Sequence, residues 1–272
     1  MRLTSCACCA SYDYLGGAVS APADAPGGGK GAPKSGGPVD RALLEDIAVA
    51  SRICAAEGVF DAFGHLSLRH PGDKKRFLMS RSKAPALTTA DDIMEFDLDC
   101  DACDQRGRGV FLERFIHGEI YKARPDVNSI VHSHSPSVVP FSLVPNKMRA
   151  MFHTSAFIAR GVPVFDISEK YGPTDMLVGD NDKGRELARV LADKSVVLMR
   201  AHGSVAVGPS LQHAVYRAVY TEVNAKLQMS ATLLGGPIAA LSEEEGRLAD
   251  AVNIAGVGRP WDLWKMKMTG AA

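Results

Sequence analysis

Residues 127–136 read Val-Asn-Ser-Ile-Val-His-Ser-His-Ser-Pro. The apolar, β-branched run from Val127 to Ser133 predicts a strand. Alternate side chains of a strand share a face, so His132 and His134 are expected to point the same way. Two imidazoles on one face of an apolar strand are costly to bury unless something takes up their lone pairs. A divalent metal does so, and His-x-His on a strand is a recurring ligand spacing. A polar strand end at a surface would produce the same letters.

Working outward, Glu113–Ala123 has helical composition and should end at Arg124-Pro125, because proline disfavours the helical conformation of its predecessor. Downstream, Val162–Phe165, Val196–Arg200 and Val205–Val207 are short runs of strand type. Asp182 is read as the cap of a helix to about Leu191, and Ser210 as the cap of a longer one reaching Gly235-Gly236. Upstream, Asp40 caps an amphipathic helix stopped by Gly58. Phe63–Arg69 and Arg76–Ser80 are two strands joined by a Pro71-Gly72-Asp73 turn. Thr89–Asp92 begins a helical turn, and Met94–Leu98 is another strand. Strands in the middle with helices around them predict an α/β layer fold.

Composition sets the outer bounds. The chain has 272 residues, 46% hydrophobic and 23% charged, enough to bury a full core without staples. Lys+Arg and Asp+Glu both number 31, a balance that argues against nucleic-acid or anionic-membrane partners. No apolar run approaches the roughly 20 residues that span a bilayer. Six cysteines fall in three uneven groups, unlike a secreted disulfide framework, so cytoplasm is the expected location. Cys100 and Cys103 have C-x-x-C spacing but no second pair nearby, and are read as incidental thiols of an exposed loop. Residues 1–38 are rich in Gly, Pro and Ala and expected to be disordered; one domain with a C-terminal tail fills 39–272.

Further candidates for chemistry join the histidine pair. His202 follows a buried-looking strand and precedes Gly203, a common place for functional groups in α/β folds. His153 is another candidate ligand or proton carrier. Three protein ligands leave coordination positions open, as catalytic sites require. Glu113 opens the helix before the pair, with His117 one turn later on the same face. A first-turn charge favoured by the helix dipole and a general acid/base near a metal are both open readings of Glu113.

Together these segments resemble the class II aldolase/adducin family. The matching pieces are Gly64-His65-Leu66-Ser67, Glu113-Arg114-Phe115-Ile116-His117 with Tyr121 and Arg124-Pro125-Asp126, Val131-His132-Ser133-His134-Ser135, Gly161-Val162-Pro163, and His202-Gly203. They run in order from about residue 40 to 235. The resemblance implies a three-layer α/β/α sandwich around a mainly antiparallel sheet, and a homotetramer with active sites near subunit interfaces. It implies His132, His134 and His202 as metal ligands and Glu113 as the acid/base beside the metal, assisted by His117 or His153. Zinc is the family's usual metal, with manganese in related decarboxylases. The non-catalytic adducin head domains typically lack this set, which is filled here.

Departures from the sugar-phosphate aldolases also carry information. Where those cradle phosphate with Gly-Asn-Xaa-Ser, a Thr-Pro-Xaa-Gly-like turn and a Ser-Ser pair, this chain has His65, Ser80-Arg81-Ser82-Lys83 and Phe111-Leu112. Arg81 and Lys83 are therefore expected to bind a substrate carboxylate, with His65 lining the pocket and Arg114 a further substrate-binding residue. With Gly258-Arg259-Pro260-Trp261-Asp262-Leu263-Trp264, the chain looks most like the decarboxylase-like branch acting on hydroxylated pyridine or benzene dicarboxylates. The expected reaction is metal-dependent decarboxylation of a small hydroxylated aromatic or heteroaromatic carboxylate. An aldolase for a non-phosphorylated hydroxy-keto acid, or a non-catalytic adducin-like module, are the alternatives. Trp261 and Trp264 are expected to anchor the tail, and Tyr216 and Tyr220 to pack in the core.

Overall fold

The computed structural model describes residues 31–270. Seven strands form one sheet: β1 (His65–Arg69), β2 (Arg76–Ser80), β3 (Ile93–Asp97), β4 (Ser129–Ser133), β5 (Val164–Phe165), β6 (Val196–Met199) and β7 (Gly203–Gly208). Their order is β3-β2-β1-β4-β7-β6-β5. Only the β5–β6 pairing is parallel, and the remaining neighbours are antiparallel. The sheet is thus mainly antiparallel, as expected.

Helices cover both faces. On one side α1 (Arg41–Ala56), α5 (Leu211–Leu234) and α7 (Gly258–Thr269) pack on Leu66, Leu68, Val131, Leu198 and Ala206. On the other, α2 (Arg114–Ala123), α3 (Ile167–Tyr171) and α4 (Asn181–Leu191) bury Ile116, Ile120, Ile167 and Leu187 against Phe77, Phe96, Ile130, Val197 and Val205. The alternation of β1 and β4 sorts their side chains between these two cores. Leu66, Leu68 and Val131 go to the first, so His65, Ser67 and His132 go to the second, under α2.

Local chemistry accounts for the ends of these elements. Asp40 and Ser210 cap α1 and α5 through their side chains, as the sequence indicated. Asp180, rather than Asp182, caps α4 by accepting from Lys183 N. The first strand starts at His65 instead of Phe63, because Asp61 Oδ1 accepts from the Phe63 and Gly64 N–H groups and holds 61–64 in a turn. The tail is more regular than expected. It forms α6 (Glu243–Ala255), begun by a reciprocal Ser242–Glu245 capping box, and then α7. Trp261 and Trp264 of α7 are buried as anchors, Trp264 beside Tyr220. Tyr216 and Tyr220 pack on each other, with Tyr216 donating to Thr154 O.

Two expectations change. Residues 1–30 of the proposed disordered segment lie outside the described residues, but Ser35 Oγ and Gly36 N both donate to Glu95 and Arg76 Nε donates to Lys34 O. Residues 34–36 are therefore fixed to the edge of the sheet. Cys100 is buried, not in an exposed loop. Its thiol packs beneath α2, where Gly118 leaves room that a Cβ would fill at 2.4 Å from Sγ, and burial raises its pKa to about 12.

Candidate metal centre

Four side chains from three stretches of chain converge where β4, the β6–β7 turn and the start of α2 meet. Donor atoms of Glu113, His132, His134 and His202 all lie within 4.8 Å of one another. His132 is the penultimate residue of β4, and His134 follows the strand's end at Ser133. Thus the pair converges by the chain's turn past the strand, not by strand alternation alone. His202 reaches them because Gly203 lets β7 press on β4: a Cβ there would stand 2.0 Å from Ser133 O. Ala201, with φ +55°, turns the chain just ahead of it. The glycine after His202 is a packing requirement, which is why the two letters occur together.

Each ring is oriented by its outer nitrogen. His132 Nδ1 donates to Ser204 O at 3.2 Å, His134 Nδ1 to Asp61 Oδ2 at 3.1 Å, and His202 Nδ1 to Met176 O at 3.1 Å. Committing Nδ1 as donor leaves each Nε2 as a lone pair facing inward, the arrangement by which outer hydrogen bonds prepare imidazoles for a metal. The Nε2 atoms of His134 and His202 stand 3.2 Å apart, and buried His132 Nε2 has no hydrogen-bond partner among the described residues. Lone pairs at that separation repel unless a proton or cation stands among them. Three imidazoles beside a carboxylate form a donor set that suits a divalent ion of zinc type.

Glu113 occupies the N-cap position of α2 but makes no capping bond with its side chain. One oxygen, Oε1, accepts from Val178 N at 2.9 Å; the other lies 3.4 Å from His132 Nε2 and 3.3 Å from His202 Nε2. The helix-dipole reading is insufficient, since the carboxylate is aimed at the cluster. Burial alone would raise its pKa, but the neighbouring His132 and His202 imidazoles outweigh burial and hold it well below the usual carboxylate range. Burial lowers His132, whereas Glu113 overrides burial at His202 and raises that ring.

The other sequence candidates divide. His65 lies beside the cluster, its ring 4.9 Å from that of His132 and 4.6 Å from Phe111. His117 is not at the cluster's edge; it is fully buried behind His65, with Nε2 2.8 Å from His65 Nδ1. Burial pushes His117 down to about 3, and burial with His132 and His117 as neighbours pushes His65 well below the usual imidazole value. His153 is exposed on another part of the surface, against Phe152 and α6, and contacts none of the four cluster residues. Arg114 is occupied: it donates to the carbonyls of Cys100 and Phe111 and stacks on Phe115. Its backbone bonds tie α2 to the preceding loop instead of presenting a cation to substrate.

Arg81 and Lys83 both pair with Asp92, each at 2.7 Å. Burial would raise Asp92, but these two bonds and those from Thr89 hold it below the usual carboxylate range. The two cations are thus partly neutralised, although the Arg81 amino nitrogens carry no such partner and the residue is only half-buried. Asp61, Ser67 and the full buried line ending at Tyr121 were not anticipated as parts of the site. Asp61 had no signal beyond its place before Phe63-Gly64. Ser67 and Tyr121 were marked by period: two residues from His65 on a strand and four from His117 on a helix.

Comparison with known proteins places this geometry in a family. Residues 45–229 match the model of the class II aldolase and adducin N-terminal domain. The chain is 38% identical over 229 residues to decarboxylase tropJ of Talaromyces stipitatus, covering 76% of this chain and 86% of that one. It is 29% identical over 239 residues to the 3,4-dihydroxyphthalate decarboxylase of Arthrobacter keyseri, covering 82% and 92%. Among solved structures, an aldolase II superfamily protein from Pseudomonas syringae aligns with a TM-score of 0.72 at 22% identity, over 87% of this chain and 95% of that one. An L-fuculose 1-phosphate aldolase from Glaciozyma antarctica aligns at 0.69 and 22%, over 86% and 96%. The last two likenesses speak for the fold. The protein belongs to the class II aldolase and adducin family. Within it, the chain is a lyase.

Proposed function

We propose that this protein is a divalent-metal-dependent decarboxylase of a small hydroxylated aromatic or heteroaromatic carboxylate. The convergence of three outward-anchored imidazoles with the Glu113 carboxylate carries this reading. Its relatives named as decarboxylases support the choice of reaction. The replaced phosphate cradle, with Phe111 against His65 where small hydroxyl residues would serve a phosphate, supports an aromatic carboxylate over a sugar phosphate.

His132, His134 and His202 would hold the metal, zinc by donor type and manganese as the alternative. When bound, such an ion supplies Lewis-acid stabilisation to the negative charge left on substrate oxygen when a carbon–carbon bond breaks. The chain's own groups manage the proton. Glu113, held ionised, accepts the proton of the substrate hydroxyl as it docks. The bond between the ring and the carboxyl carbon then breaks, carbon dioxide leaves, the electron pair stays on the ring carbon, and Glu113 returns the proton to that ring carbon. Phe111 walls the site and limits water, and Arg81 remains the candidate for a second carboxylate. We also place the protein in the cytoplasm as a homotetramer. Leu233 and Leu234, nearly fully exposed at the end of α5, adjoin an apolar cleft of about 640 Å³ lined by Phe141, Val144 and Met229, a surface suited to a subunit contact.

Release of carbon dioxide from a panel of hydroxylated aromatic mono- and dicarboxylates, assayed with zinc, with manganese and after chelation, tests the reading. Metal-dependent carbon dioxide release is expected. Aldehyde formation from a hydroxy-keto acid would instead make the chain an aldolase, and absence of metal from protein purified without chelator would favour a non-catalytic module.

A further inference from the structure

Behind the metal centre, four side chains form one buried line on the α2 side of the sheet. His65 Nδ1 lies 2.8 Å from His117 Nε2, His117 Nδ1 lies 2.6 Å from Ser67 Oγ, and Ser67 Oγ lies 2.8 Å from the Tyr121 hydroxyl. None of the four is more than 3% exposed. A neutral imidazole has one N–H and one lone pair, so the two histidine bonds share a direction, and a Ser67 hydroxyl that receives the Tyr121 proton has only His117 Nδ1 left to donate to among the described residues. Run one way, the line ends in a bare lone pair at His65 Nε2; run the other, it ends in an N–H there.

The tyrosine end decides. A phenol is a stronger donor and a poorer acceptor than an alcohol, and the Arg69 guanidinium, 4.5 Å from the ring centre, sharpens both tendencies. The other acceptor within reach, Asn128 O, which also receives the Arg69 backbone N–H, is 3.4 Å away, well beyond Ser67 Oγ at 2.8 Å. Tyr121 therefore donates to Ser67, and the Ser67 hydroxyl donates to His117 Nδ1. His117 Nε2–H then donates to His65 Nδ1.

We infer that the Ser67–His117 pair, with Tyr121 unable to take the Ser67 proton, locks His65 as its Nε2–H tautomer and that this N–H is a neutral donor to an anionic oxygen of the substrate. His65 Nε2 has no hydrogen-bond partner among the described residues, and its ring stands between His132 and Phe111. The nature of the acceptor rests on the decarboxylase reading; the tautomer does not. Ser67 and His117 are positioning residues in this scheme, because they act through His65. The direction matters for selectivity, since an N–H donates to an anionic oxygen and offers no lone pair to a hydroxyl that must itself donate.

Nitrogen NMR of full-length protein labelled at histidine, with His65 assigned through His65→Gln, reads the tautomer directly. In the wild type, His65 and His117 should each show a protonated Nε2 and a bare Nδ1. Tyr121→Phe disturbs the same core but should leave that pattern, because the Ser67 hydroxyl still has His117 Nδ1 to donate to. Ser67→Asp puts an ionised, acceptor-only group at that place and should reverse both rings. Its kcat/KM for carbon dioxide release should fall at least about tenfold, the loss of one hydrogen bond to a charged group, while Tyr121→Phe stays within about threefold. A protonated Nδ1 on wild-type His65, or reversal in Tyr121→Phe, overturns the inference. So does undiminished turnover in a Ser67→Asp protein whose rings have reversed. If Ser67→Asp does not fold, the wild-type and Tyr121→Phe spectra still decide the tautomer. Expected spectra with no turnover on any carboxylate would instead count against the decarboxylase reading alone.

Discussion

Each proposed ligand histidine has two nitrogens with different partners, and the two make separable predictions. His132→Ala or His202→Ala removes an inward lone pair, and metal measured by elemental analysis after gel filtration should drop to background. Glu113→Gln keeps the shape and the Val178 bond but loses the charge and the proton site. It should retain metal while kcat falls at least about a hundredfold, the usual scale of acid–base loss. Equal activity in Glu113→Gln would remove it from the role assigned here. Asp61→Ala deletes the outer partner of His134 together with the Asp61 bonds to Phe63 N and Gly64 N that hold the 61–64 turn. Metal affinity should weaken by about 10–100-fold, the usual effect of losing such a support, without abolition.

At the scale of elements, the site depends on how closely two strands approach. Gly203→Ala would drive a methyl into Ser133 O. It should destabilise the fold by about 2 kcal/mol in urea titration and lower metal retention together, because β4 and β7 carry the ligands between them. Trp264→Ala tests the opposite case. The tryptophan packs α7 into the core shared with α1 and α5, on the far side of the sheet from α2. A loss of about 3 kcal/mol is expected with the metal content of folded protein unchanged. If metal falls with Trp264→Ala in fully folded protein, the two cores are coupled more tightly than their separation by the sheet implies.

For the whole molecule, burial of neutral histidines makes stability depend on pH. His117 has a folded pKa of about 3 against an unfolded value near 6.5, and it faces His65, Ser67, Tyr121 and Phe77 with no carboxylate partner among them. Between those values the unfolded chain binds a proton that the native chain excludes. Stability is therefore fully present above about 6.5 and is lost as pH falls, by up to about 1.4 kcal/mol per pH unit from this group. Urea midpoints measured from pH 7 to pH 5 should fall, and His117→Gln should flatten that slope. Rising stability over the same range would refute the neutral ring. Assembly is tested separately: light scattering should report a tetramer, and Leu233→Glu with Leu234→Glu should shift it to smaller species.

Much of this was written locally. Strand and helix periods and the Asp40 and Ser210 caps depend on neighbours within a few residues, so the layered α/β architecture was legible in the sequence alone, while the resemblance to the family named the cluster's four members. Tertiary structure decided which charged and polar groups were free to act. Arg114, Arg81 and Lys83 looked alike as letters, yet their partners are backbone carbonyls and Asp92, brought near by the packing of loops on the sheet. His117 and His153 were equally plausible assistants until one was placed behind His65 and the other on a distant surface. The reason is physical: periodicity records which face a residue occupies, whereas availability depends on hydrogen-bond partners supplied from remote parts of the chain.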